Sequence, residues 1–320
     1  MKVLLTGGRG LLGTATALAL HERGHTVTTF QRTATDTPWR EVLGDVCDGE
    51  AVKRAVDGQD AVIHSAAHVS LSGPWQQFEE TNIEGTRIML EQSRAAGVRS
   101  FVQVSSPSVA HAGASLIGVD ALPADPVHAR GNYARSKALA ETLALQSSDE
   151  SMAVCAIRPH LVWGPGDTQL IGRIVDRARS GRLALIGSGR ALIDTTYVDN
   201  AASALAAAVE RAGHAQVRGQ AFVVTNGEPR TVAELVGRIL ACWNLEAPTR
   251  SVPYPVAHLA GTALERVWRA GEPPMTAFLA EQLATSHWFD QRRTRRALEW
   301  SPQVSLDEGF RRLRAAARRA

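Results

Sequence analysis

The stretch that decides the fold reads MKVLLTGGRGLLGTATALALHERG and spans residues 1–24. The apolar, β-leaning run Lys2–Thr6 predicts a first strand, and Leu11–His21 carries apolar residues at helical spacing. The turn between them contains Gly7, Gly8, Gly10 and Gly13. A strand that turns through glycines into a helix directs backbone N–H groups and the positive helix end at one point, which suits a pyrophosphate. We interpret the turn as a dinucleotide site; the alternative is a tight turn without a ligand.

The glycines of this turn have separate tasks. Gly7 and Gly10 permit positive φ and a close approach of the backbone to phosphates, whereas Gly13 lets the helix pack closely on the strand. The first helical residues, Leu11 and Leu12, complete the predicted cofactor-binding turn. The spacing Gly-x-x-Gly-x-x-Gly differs from Gly-x-Gly-x-x-Gly and is not specific by itself. The interpretation therefore depends on the position of the turn directly after the first strand.

Composition places the chain among ordinary globular proteins. Its 320 residues suffice for one large or two coupled domains, and the apolar fraction of 44% and charged fraction of 21% are typical. The formal net charge is only +3, although arginines are concentrated near the C-terminus. They are Arg292, Arg293, Arg295, Arg296, Arg311, Arg312, Arg314, Arg318 and Arg319. No aromatic residues interleave with them in a recognisable motif, so we expect a solvated helix face and no nucleic-acid partner.

Cysteine usage and apolar runs indicate the compartment. Cys47, Cys155 and Cys242 are far apart and form no Cys-x-x-Cys pair, which fits a reduced cytoplasm without disulfides or a zinc site. The first apolar run is already the first strand, so we expect no signal peptide. No run is long enough to span a bilayer. We expect a cytoplasmic protein without a transmembrane segment or a metal.

The end of the second strand indicates the cofactor. His25–Gln31 predicts this strand, and Arg32 follows it, with no acidic residue before Asp36. An acidic residue at this point binds the adenosine ribose and selects NAD, whereas an arginine accommodates a 2′-phosphate. Arg32 therefore favours NADP over NAD; the alternative is a merely exposed arginine.

Strands and helices alternate regularly through the first half of the chain. Further predicted strands are Leu43–Val46, Ala61–His64, Ser100–Ser105 and Ala153–Arg158, and predicted helices include Glu50–Asp57, Thr81–Ala96 and Asn132–Ser147. This alternation predicts an α/β fold, a Rossmann-type doubly wound parallel sheet with right-handed crossovers. We expect the sheet domain to cover residues 1–160, with a returning segment near 190–227. A smaller substrate-binding lobe is expected over 161–189 and 228–320.

Three side chains could carry acid–base chemistry. Tyr133 and Lys137 are four residues apart on a predicted helix, so they share one face and the ammonium can lie near the phenol. A nearby cation is expected to lower the pKa of the phenol from its usual value near 10. Ser106, just past the fifth strand, adds a hydroxyl for the same substrate oxygen. Together they could protonate an alkoxide, or accept the proton in the reverse reaction.

The order of these motifs resembles that of the extended short-chain dehydrogenases/reductases, the NAD-dependent epimerase/dehydratase superfamily. The matching stretches are Thr6–Gly13, Asp45–Val46, Ala66–Ala67, Asn82, Ser105–Ser106, Tyr133-x-x-x-Lys137 and Arg158–Pro159. The resemblance implies that Tyr133 is the acid/base, that Lys137 also holds the nicotinamide ribose and that Ser106 orients the substrate oxygen. It implies a supporting role for Asn82 in a proton path. The implied cofactor contacts are Asp45, Val46, Ala66, Ala67, Pro159 and Leu161.

Other stretches resemble the 3β-hydroxysteroid dehydrogenase branch and, within it, the 2-alkyl-3-oxoalkanoate reductases of bacterial olefin synthesis. These stretches are Ser106–Val109, Arg158–Asp167, Asp194–Asn200, Thr225–Pro229 and Glu281–Trp288. Such enzymes reduce a β-keto acid or interconvert 3-hydroxy and 3-keto sterols with a nicotinamide cofactor. The resemblance therefore implies an NAD(P)-dependent oxidoreductase acting on a hydrophobic 3-oxo or 3-hydroxy substrate. It also implies a homodimer, paired through the helices Asn82–Ala96 and Tyr133–Ser147.

Two other functions remain as alternatives. Nucleotide-sugar epimerases and dehydratases usually carry an arginine directly before the aspartate that corresponds to Asp194, whereas Ala191–Ile193 is apolar here. The absence of this phosphate clamp favours a hydrophobic substrate. The second alternative is a non-catalytic NADP-sensing protein, and the presence of Ser106, Tyr133 and Lys137 argues against it.

We expect substrate contacts at His68, Ser108, Trp163 and Thr195, in a pocket closed by the lobe. Further apolar candidates are Val69, Trp75, Leu170, Ile171, Trp268, Phe278 and Trp288. Apolar residues are usually simply buried, so each also fits a core position. The apolar stretch Pro253–Trp268 is interpreted first as lid packing and second as peripheral contact with a membrane surface.

Overall fold

The computed structural model describes residues 1–70, 72–111, 113–268 and 273–319. The strands, in chain order, are β1 (Lys2–Thr6), β2 (Thr26–Gln31), β3 (Arg40–Leu43), β4 (Ala61–His64), β5 (Ser100–Val104), β6 (Leu116–Val119), β7 (Ala153–Pro159), β8 (Val162–Trp163), β9 (Leu185–Ile186), β10 (Leu192–Ile193), β11 (Thr196–Tyr197), β12 (Ala221–Val224), β13 (Arg230–Thr231), β14 (Ser251–Val252) and β15 (His287–Phe289). The α-helices are α1 (Leu11–Glu22), α2 (Gly49–Val56), α3 (Trp75–Phe78), α4 (Gly85–Ala95), α5 (Gly131–Gln146), α6 (Ile171–Arg179), α7 (Val198–Arg211), α8 (Val232–Cys242), α9 (Tyr254–Val267), α10 (Ala277–Ala284), α11 (Arg292–Leu298) and α12 (Leu306–Ala317). A π-helical turn, Glu79–Glu84, precedes α4, and a 3-10 helix, Pro107–Ala110, follows β5.

Seven strands form one parallel sheet in the order β3-β2-β1-β4-β5-β7-β12. β4 and β7 are buried along their whole length, as expected for a parallel sheet covered on both faces. The strand order reverses beside β1, because the chain continues to β2 and β3 on one side and to β4 and β5 on the other. Ligands of such sheets bind at the carboxyl ends of the strands next to this reversal. The predicted Rossmann-type doubly wound fold is confirmed.

Helices cover both faces of the sheet, and consecutive residues of β1 serve the two sides in turn. Val3 and Leu5 pack into the core beneath α1 and the alanine-rich α7. Leu4 points to the opposite core, which α2 and α4 cover with residues such as Val52 and Met89. This period-2 alternation between two apolar environments explains why β1 reads as a continuous apolar run.

The second part of the fold is built around a separate apolar core. α6, α8 and α12 contribute Val175, Leu240 and Phe310 to it, and β13, β10, β15 and β6 form a small sheet in that order. β12 pairs with β7 at the edge of the large sheet. It lies within residues 190–227, the segment that the sequence predicts to return to the sheet. The chain crosses between the two parts more often than the sequence predicts. β6, from the first half of the chain, pairs with β15, and Leu298 of α11 lies in the core of the large sheet.

Two elements differ from the sequence prediction. The third strand is Arg40–Leu43 instead of Leu43–Val46. The chain leaves the sheet at Gly44, where a Cβ would come within 2.8 Å of the Phe30 ring, so the residues after it form a loop. The predicted helix Thr81–Ala96 is interrupted, because its first turns adopt the wider π-helical geometry that carries Asn82.

The surface carries the arginines noted in the sequence. Arg292 pairs with Asp290, and Arg312 pairs with Glu308 and Asp199. These contacts agree with an interpretation of the arginines as a solvated, ion-paired surface. Among the described residues, no helix combines the length and the apolar character needed to cross a bilayer.

Candidate active site

The turn between β1 and α1 leaves no room for side chains. Gly7 adopts a φ of +73°, and a Cβ there would lie 3.1 Å from the backbone nitrogen of Ala66. A Cβ on Gly13 would lie 2.1 Å from the Gly7 carbonyl oxygen, so α1 could not approach the turn this closely. Gly10 is the N-cap of α1, and the first N–H groups from Leu11 onward have no intrahelical partners. This cradle of backbone donors fits the pyrophosphate of a dinucleotide.

Thr6, the last residue of β1, fixes the neighbouring strand end. Its buried Oγ1 accepts hydrogen bonds from the N–H groups of Ser65 (3.0 Å) and Ala66 (2.9 Å) and lies 2.9 Å from His64 Nδ1. The loop after β4 is thereby held against the glycine turn, where the backbone of Ala66 lies next to Gly7. The cofactor contacts implied for Ala66 and Ala67 stay a prediction. Thr6 is not among the predicted site residues; the one signal for it is a polar residue at the end of an apolar strand.

The predicted adenosine contacts lie after β2 and β3. Arg32 follows β2 directly, its side chain is 82% exposed, and its Nη1 lies 4.0 Å from Asp45 Oδ2. Asp45 also accepts a hydrogen bond from the N–H of Cys47. Val46 is buried in the core beneath the sheet, so only its backbone is available to a ligand. Arg32 and Asp45 thus form an ion pair at the surface. The last residue of β2 is Gln31, which carries no negative charge.

Asn82 connects the loop after β4 with α5. Its Oδ1 accepts a hydrogen bond from the His68 N–H (2.7 Å), and its Nδ2 donates to the His68 carbonyl (3.1 Å) and to Ser136 Oγ (2.9 Å). Ser136 in turn donates to the Tyr133 carbonyl oxygen. The buried amide of Asn82 thus positions the helix that carries Tyr133. Its implied role in a proton path stays a prediction.

Ser106 lies two residues beyond β5 and is the N-cap of the 3-10 helix. Its Oγ accepts hydrogen bonds from Ser108 Oγ (2.9 Å) and from the Ser108 N–H (3.3 Å). The adjacent Ser105 is buried, and its Oγ has no hydrogen-bond partner in the described part of the chain. Ser106 is half-buried, so its hydroxyl is the more accessible of the two to a substrate.

Tyr133 and Lys137 lie on successive turns of α5. Lys137 Nζ donates a hydrogen bond of 2.6 Å to the Val104 carbonyl oxygen at the end of β5. Burial lowers the pKa of Lys137 to about 8, against the raising effect of Glu141. Burial raises the pKa of Tyr133 to about 12. The expected lowering of the phenol pKa by the ammonium is therefore wrong for this structure, because the loss of water around the phenol raises the pKa. The phenol is protonated at neutral pH, which is the form that donates a proton.

A buried ion pair lies one turn further along α5. Glu141 accepts from Arg158 of β7 through Nε (2.8 Å) and Nη2 (2.5 Å), and both side chains are 1% exposed. Arg158 Nη1 also donates to the Leu122 carbonyl oxygen (2.7 Å). The pair fixes α5 to the sheet next to Lys137. Arg158 is part of a recognised motif, whereas the partner Glu141 is not among the predicted residues.

The predicted substrate contacts are divided between the sheet edge and the lobe core. The Ser108 hydroxyl donates a hydrogen bond to Ser106 Oγ, and the His68 N–H donates one to Asn82 Oδ1. Trp163, by contrast, is 2% exposed and donates to Thr195 Oγ1 (2.9 Å), which is itself buried. The indole and the hydroxyl are therefore engaged with each other in the lobe core, which is a packing role.

The carboxyl end of β7 carries backbone strain. Leu161 has a φ of 43°, in the left-handed region that side chains other than glycine rarely adopt, and it is 42% exposed. It follows Pro159, the last residue of the strand. Strained residues cluster at functional sites. The cofactor contacts implied for Pro159 and Leu161 stay a prediction.

The other apolar pocket candidates occupy different environments. Val69 is 62% exposed and Trp268 is 40% exposed, whereas Ile171 is buried in the lobe core. The Arg135 guanidinium lies over the Trp75 ring, with its Cζ 4.6 Å from the ring centroid. Phe278 of α10 contacts His111 edge-on, with ring centroids 6.4 Å apart. Phe278 is thus the candidate most directly associated with the segment that follows Ser106.

Three buried histidines meet between the sheet edge and the lobe. The His287 ring lies 4.8 Å from that of His111 and 5.8 Å from that of His160, centroid to centroid. Burial lowers the pKa of all three, to about 4 for His160, so the cluster is uncharged at neutral pH. Within the described ranges, no group of three or more potential ligands forms a metal site. His111 was not predicted as a site residue, because its neighbours come from distant parts of the chain.

The chain matches the NAD dependent epimerase/dehydratase family over residues 3–224. It belongs to this family. A 2-alkyl-3-oxoalkanoate reductase of Stenotrophomonas maltophilia is 41% identical over 332 aligned positions, which cover 99% of both chains. The sterol-4-alpha-carboxylate 3-dehydrogenase (decarboxylating) of Mus musculus is 31% identical over 97% of this chain and 89% of the mouse protein. A short-chain dehydrogenase/reductase superfamily protein from Agrobacterium tumefaciens, crystallised with NAD, has a TM-score of 0.76 at 22% identity, over 100% of this chain and 98% of that one.

These similarities confirm the predicted membership in the extended short-chain dehydrogenase/reductase superfamily and its 3β-hydroxysteroid dehydrogenase-like branch. The chain is an enzyme of the oxidoreductase class within that superfamily. The likeness to the bacterial crystal structure concerns the fold alone, given the low identity.

Proposed function

We propose that the protein is an NADP-preferring reductase of hydrophobic 2-alkyl-3-oxo acids. The observation that carries the proposal is the hydrogen bond from Lys137, on the helix that also carries Tyr133, to the end of β5, two residues before Ser106. This end of β5 lies at the same sheet edge as the glycine cradle. The relatives named as a 2-alkyl-3-oxoalkanoate reductase and a sterol-4-alpha-carboxylate 3-dehydrogenase support a substrate with a carbonyl or hydroxyl carbon next to a carboxylate-bearing carbon.

The protein's own residues account for the proton. When bound in the cradle, a nicotinamide cofactor supplies the hydride. Tyr133 donates its phenolic proton to the substrate carbonyl oxygen, and Ser106 Oγ donates a hydrogen bond to the same oxygen. Lys137, in its ammonium form, stabilises the negative charge left on the phenol. The raised pKa of Tyr133 suits this direction, because it keeps the proton on the donor until the substrate takes it.

The preference for NADP rests on Arg32. Its guanidinium is 82% exposed directly after β2, and its Nη1 lies 4.0 Å from Asp45 Oδ2. Gln31 carries no charge that would repel a 2′-phosphate. We expect Arg32→Gln to raise the KM for NADPH about tenfold and to change that for NADH by less than about twofold. Arg99, an exposed arginine at the opposite end of the sheet beside Asp60, provides the matched control as Arg99→Gln. Equal effects on both cofactors would contradict the NADP preference.

The substrate class is tested by turnover. Purified protein with NADPH should consume the cofactor in the presence of long-chain 2-alkyl-3-oxo acids, and Tyr133→Phe should remove this activity while NADPH still binds. Absence of NADPH consumption with every long-chain member of the series would overturn the proposal. Full activity of Tyr133→Phe would exclude the proposed proton donor.

An epimerase or dehydratase with retained cofactor is the second candidate. It is distinguished by turnover of a nucleotide sugar without net consumption of NADP(H). The apolar Leu192–Ile193 strand before Asp194 disfavours it, because a nucleotide phosphate needs a cationic partner there.

A further inference from the structure

His111, Arg130 and Glu281 come together from three separate parts of the chain. His111 ends the short helix that Ser106 caps, and Arg130 is the N-cap of α5, three residues before Tyr133. Glu281 belongs to α10 of the lobe. The two elements that carry the proposed catalytic residues therefore deliver His111 and Arg130, and the lobe delivers Glu281, to the same place.

The glycine that separates these side chains shows how close they are. A Cβ on Gly113 would lie 2.3 Å from Glu281 Oε1 and 3.1 Å from Arg130 Nη2. His111 Nε2 lies 3.9 Å from the same Glu281 oxygen. Gly113 has a φ of +93°, which favours glycine on conformational grounds as well.

These groups are not satisfied by one another. His111 is 1% exposed, and neither ring nitrogen makes a hydrogen bond of normal geometry within the described residues. The Ala114 backbone lies close enough to the ring to act against the lowering of its pKa by burial. Arg130 forms no ion pair or hydrogen bond within the same residues, and its side chain does not cap α5. A buried polar group without a partner is costly, so the His111 ring calls for a polar partner at this place. Arg130 is exposed, so its guanidinium is open to a ligand.

The other cations near the proposed catalytic residues are already engaged. Arg158 is paired with Glu141, Arg135 lies over the Trp75 ring, and Lys137 donates to a backbone carbonyl. Arg130 is thus the cation available to an anion among the residues of these elements that the structure describes. The positive end of the 16-residue α5 adds to its field.

The substrate class proposed above has an anion close to its reacting carbon. In a 2-alkyl-3-oxo acid, the carboxylate is bonded to C2, next to the carbonyl carbon C3 that is reduced. A group that binds it must therefore lie beside Ser106 and Tyr133. We propose that Arg130, assisted by an N–H of His111, binds the substrate carboxylate and makes the enzyme selective for acids over neutral ketones. This inference rests on the proposed function, which it deepens by naming a specificity residue.

Glu281 tunes this subsite. Its carboxylate lies beside the position of the substrate carboxylate and repels it, so it weakens the binding of an acid without affecting a neutral analogue. Replacing Arg130 and replacing Glu281 should therefore have opposite effects on acids. A purely structural role of either residue does not produce such opposite signs.

The test compares a 2-alkyl-3-hydroxy acid with its methyl ester in the oxidative direction, where both compounds are stable. Arg130→Gln should raise the KM for the acid roughly 10- to 100-fold, leave that for the ester within about twofold, and change kcat little. Arg130→Lys should restore part of the preference for the acid. Glu281→Gln should lower the KM for the acid by a few-fold. Arg135→Gln, which removes a charge from the same helix, is the matched control and should leave the acid-to-ester ratio unchanged.

An equal effect of Arg130→Gln on acid and ester, or no effect on either, would overturn the inference. Calorimetric binding of acid and ester gives the same comparison without turnover. A wild-type protein that binds both compounds but oxidises neither would contradict the proposed function, and the binding ratio would still decide on Arg130. Melting temperatures of the variants identify any loss of folding, which is not expected because the Arg130 side chain is exposed.

Discussion

Lys137 Nζ donates a 2.6 Å hydrogen bond to the carbonyl oxygen of Val104, the last residue of β5. The bond holds the buried ammonium at the strand end, two residues before Ser106, and ties α5 to the sheet. Glu141, one turn further along the helix, supplies compensating negative charge. The geometry thus keeps the proposed proton donor, its cation and the serine on elements that are fixed to one another.

This arrangement predicts a pH dependence of reduction. The pKa of Lys137 is lowered to about 8, so the ammonium is lost above that pH while Tyr133, with a pKa of about 12, keeps its proton. We expect kcat/KM for reduction to fall as the pH rises through about 8, because the phenolate formed in the reaction loses its stabilising charge. Lys137→Arg should lack this fall, since arginine stays protonated. A wild-type profile that is flat across this range would contradict the assignment.

The glycine cradle predicts a sharp contrast between two alanine substitutions. Gly13→Ala places a Cβ 2.1 Å from the Gly7 carbonyl oxygen, so α1 must move away from the turn. We expect loss of cofactor binding, measured by fluorescence titration with NADPH. Gly49→Ala is the matched control, because a Cβ at this first residue of α2 meets nothing within 4 Å. Equal cofactor affinity of the two variants would show that the cradle does not depend on this close packing.

The buried pair of Glu141 and Arg158 predicts a large stability effect. Glu141→Gln leaves the Arg158 guanidinium buried without its counter-charge, which costs about 3–5 kcal/mol. Urea unfolding should show this loss, and the double variant Glu141→Gln/Arg158→Met should recover most of it because no buried charge remains. Arg311→Ala, at an exposed pair with Glu308, should change stability by less than about 1 kcal/mol. A Glu141→Gln protein as stable as the wild type would refute the structural role of the pair.

Asp194 predicts a pH-dependent stability. It accepts hydrogen bonds from Thr225 Oγ1 and from the N–H groups of Gly227 and Glu228, but burial raises its pKa from 3.8 to about 6. A raised folded-state pKa gives a contribution that is present below the unfolded value of 3.8 and lost as the pH rises through about 6. Asp194→Asn keeps an acceptor for the backbone donors and does not titrate. The stability of the wild type relative to this variant should therefore fall by roughly 3 kcal/mol between about pH 4 and pH 6. A constant difference in denaturant unfolding over that range would show that Asp194 does not titrate there.

Much of the fold could be predicted because its signals are local. The strands β1, β4 and β7 read as apolar runs since both of their faces are buried, and the glycine turn follows the first of them directly. The third strand differs from its prediction, and the tight surroundings of Gly44, where a Cβ would meet Phe30 of β2 and Ala51 of α2, involve residues on other elements that the local pattern does not show. The π-helical turn was missed for a similar reason, since the Asn82 hydrogen bonds that accompany it reach back to the His68 backbone.

The candidate site likewise contains residues that the local sequence identifies and residues that only contacts between distant elements reveal. Ser106, Tyr133 and Lys137 are recognisable from their spacing relative to predicted elements, although the direction of the phenol pKa depends on burial and was predicted wrongly. Thr6 and Glu141 act through partners that the spacing does not reveal. Trp163 and Thr195 are predicted to contact the substrate, whereas in the structure the Trp163 indole N–H donates a hydrogen bond to Thr195 Oγ1 in the lobe core.

The sequence by itself determined the doubly wound sheet, the glycine cradle and the family, because strand propensity, helical periodicity and a turn motif are properties of short continuous stretches. Only the tertiary structure decided which distant polar groups meet: Lys137 with the end of β5, Glu141 with Arg158, and Arg130 with His111 and Glu281. The physical reason is that the first two encounters depend on how α5 packs on the sheet and the third on how the lobe packs against both, and each removes water from the groups involved. Burial then sets the pKa values and leaves particular donors available to a substrate.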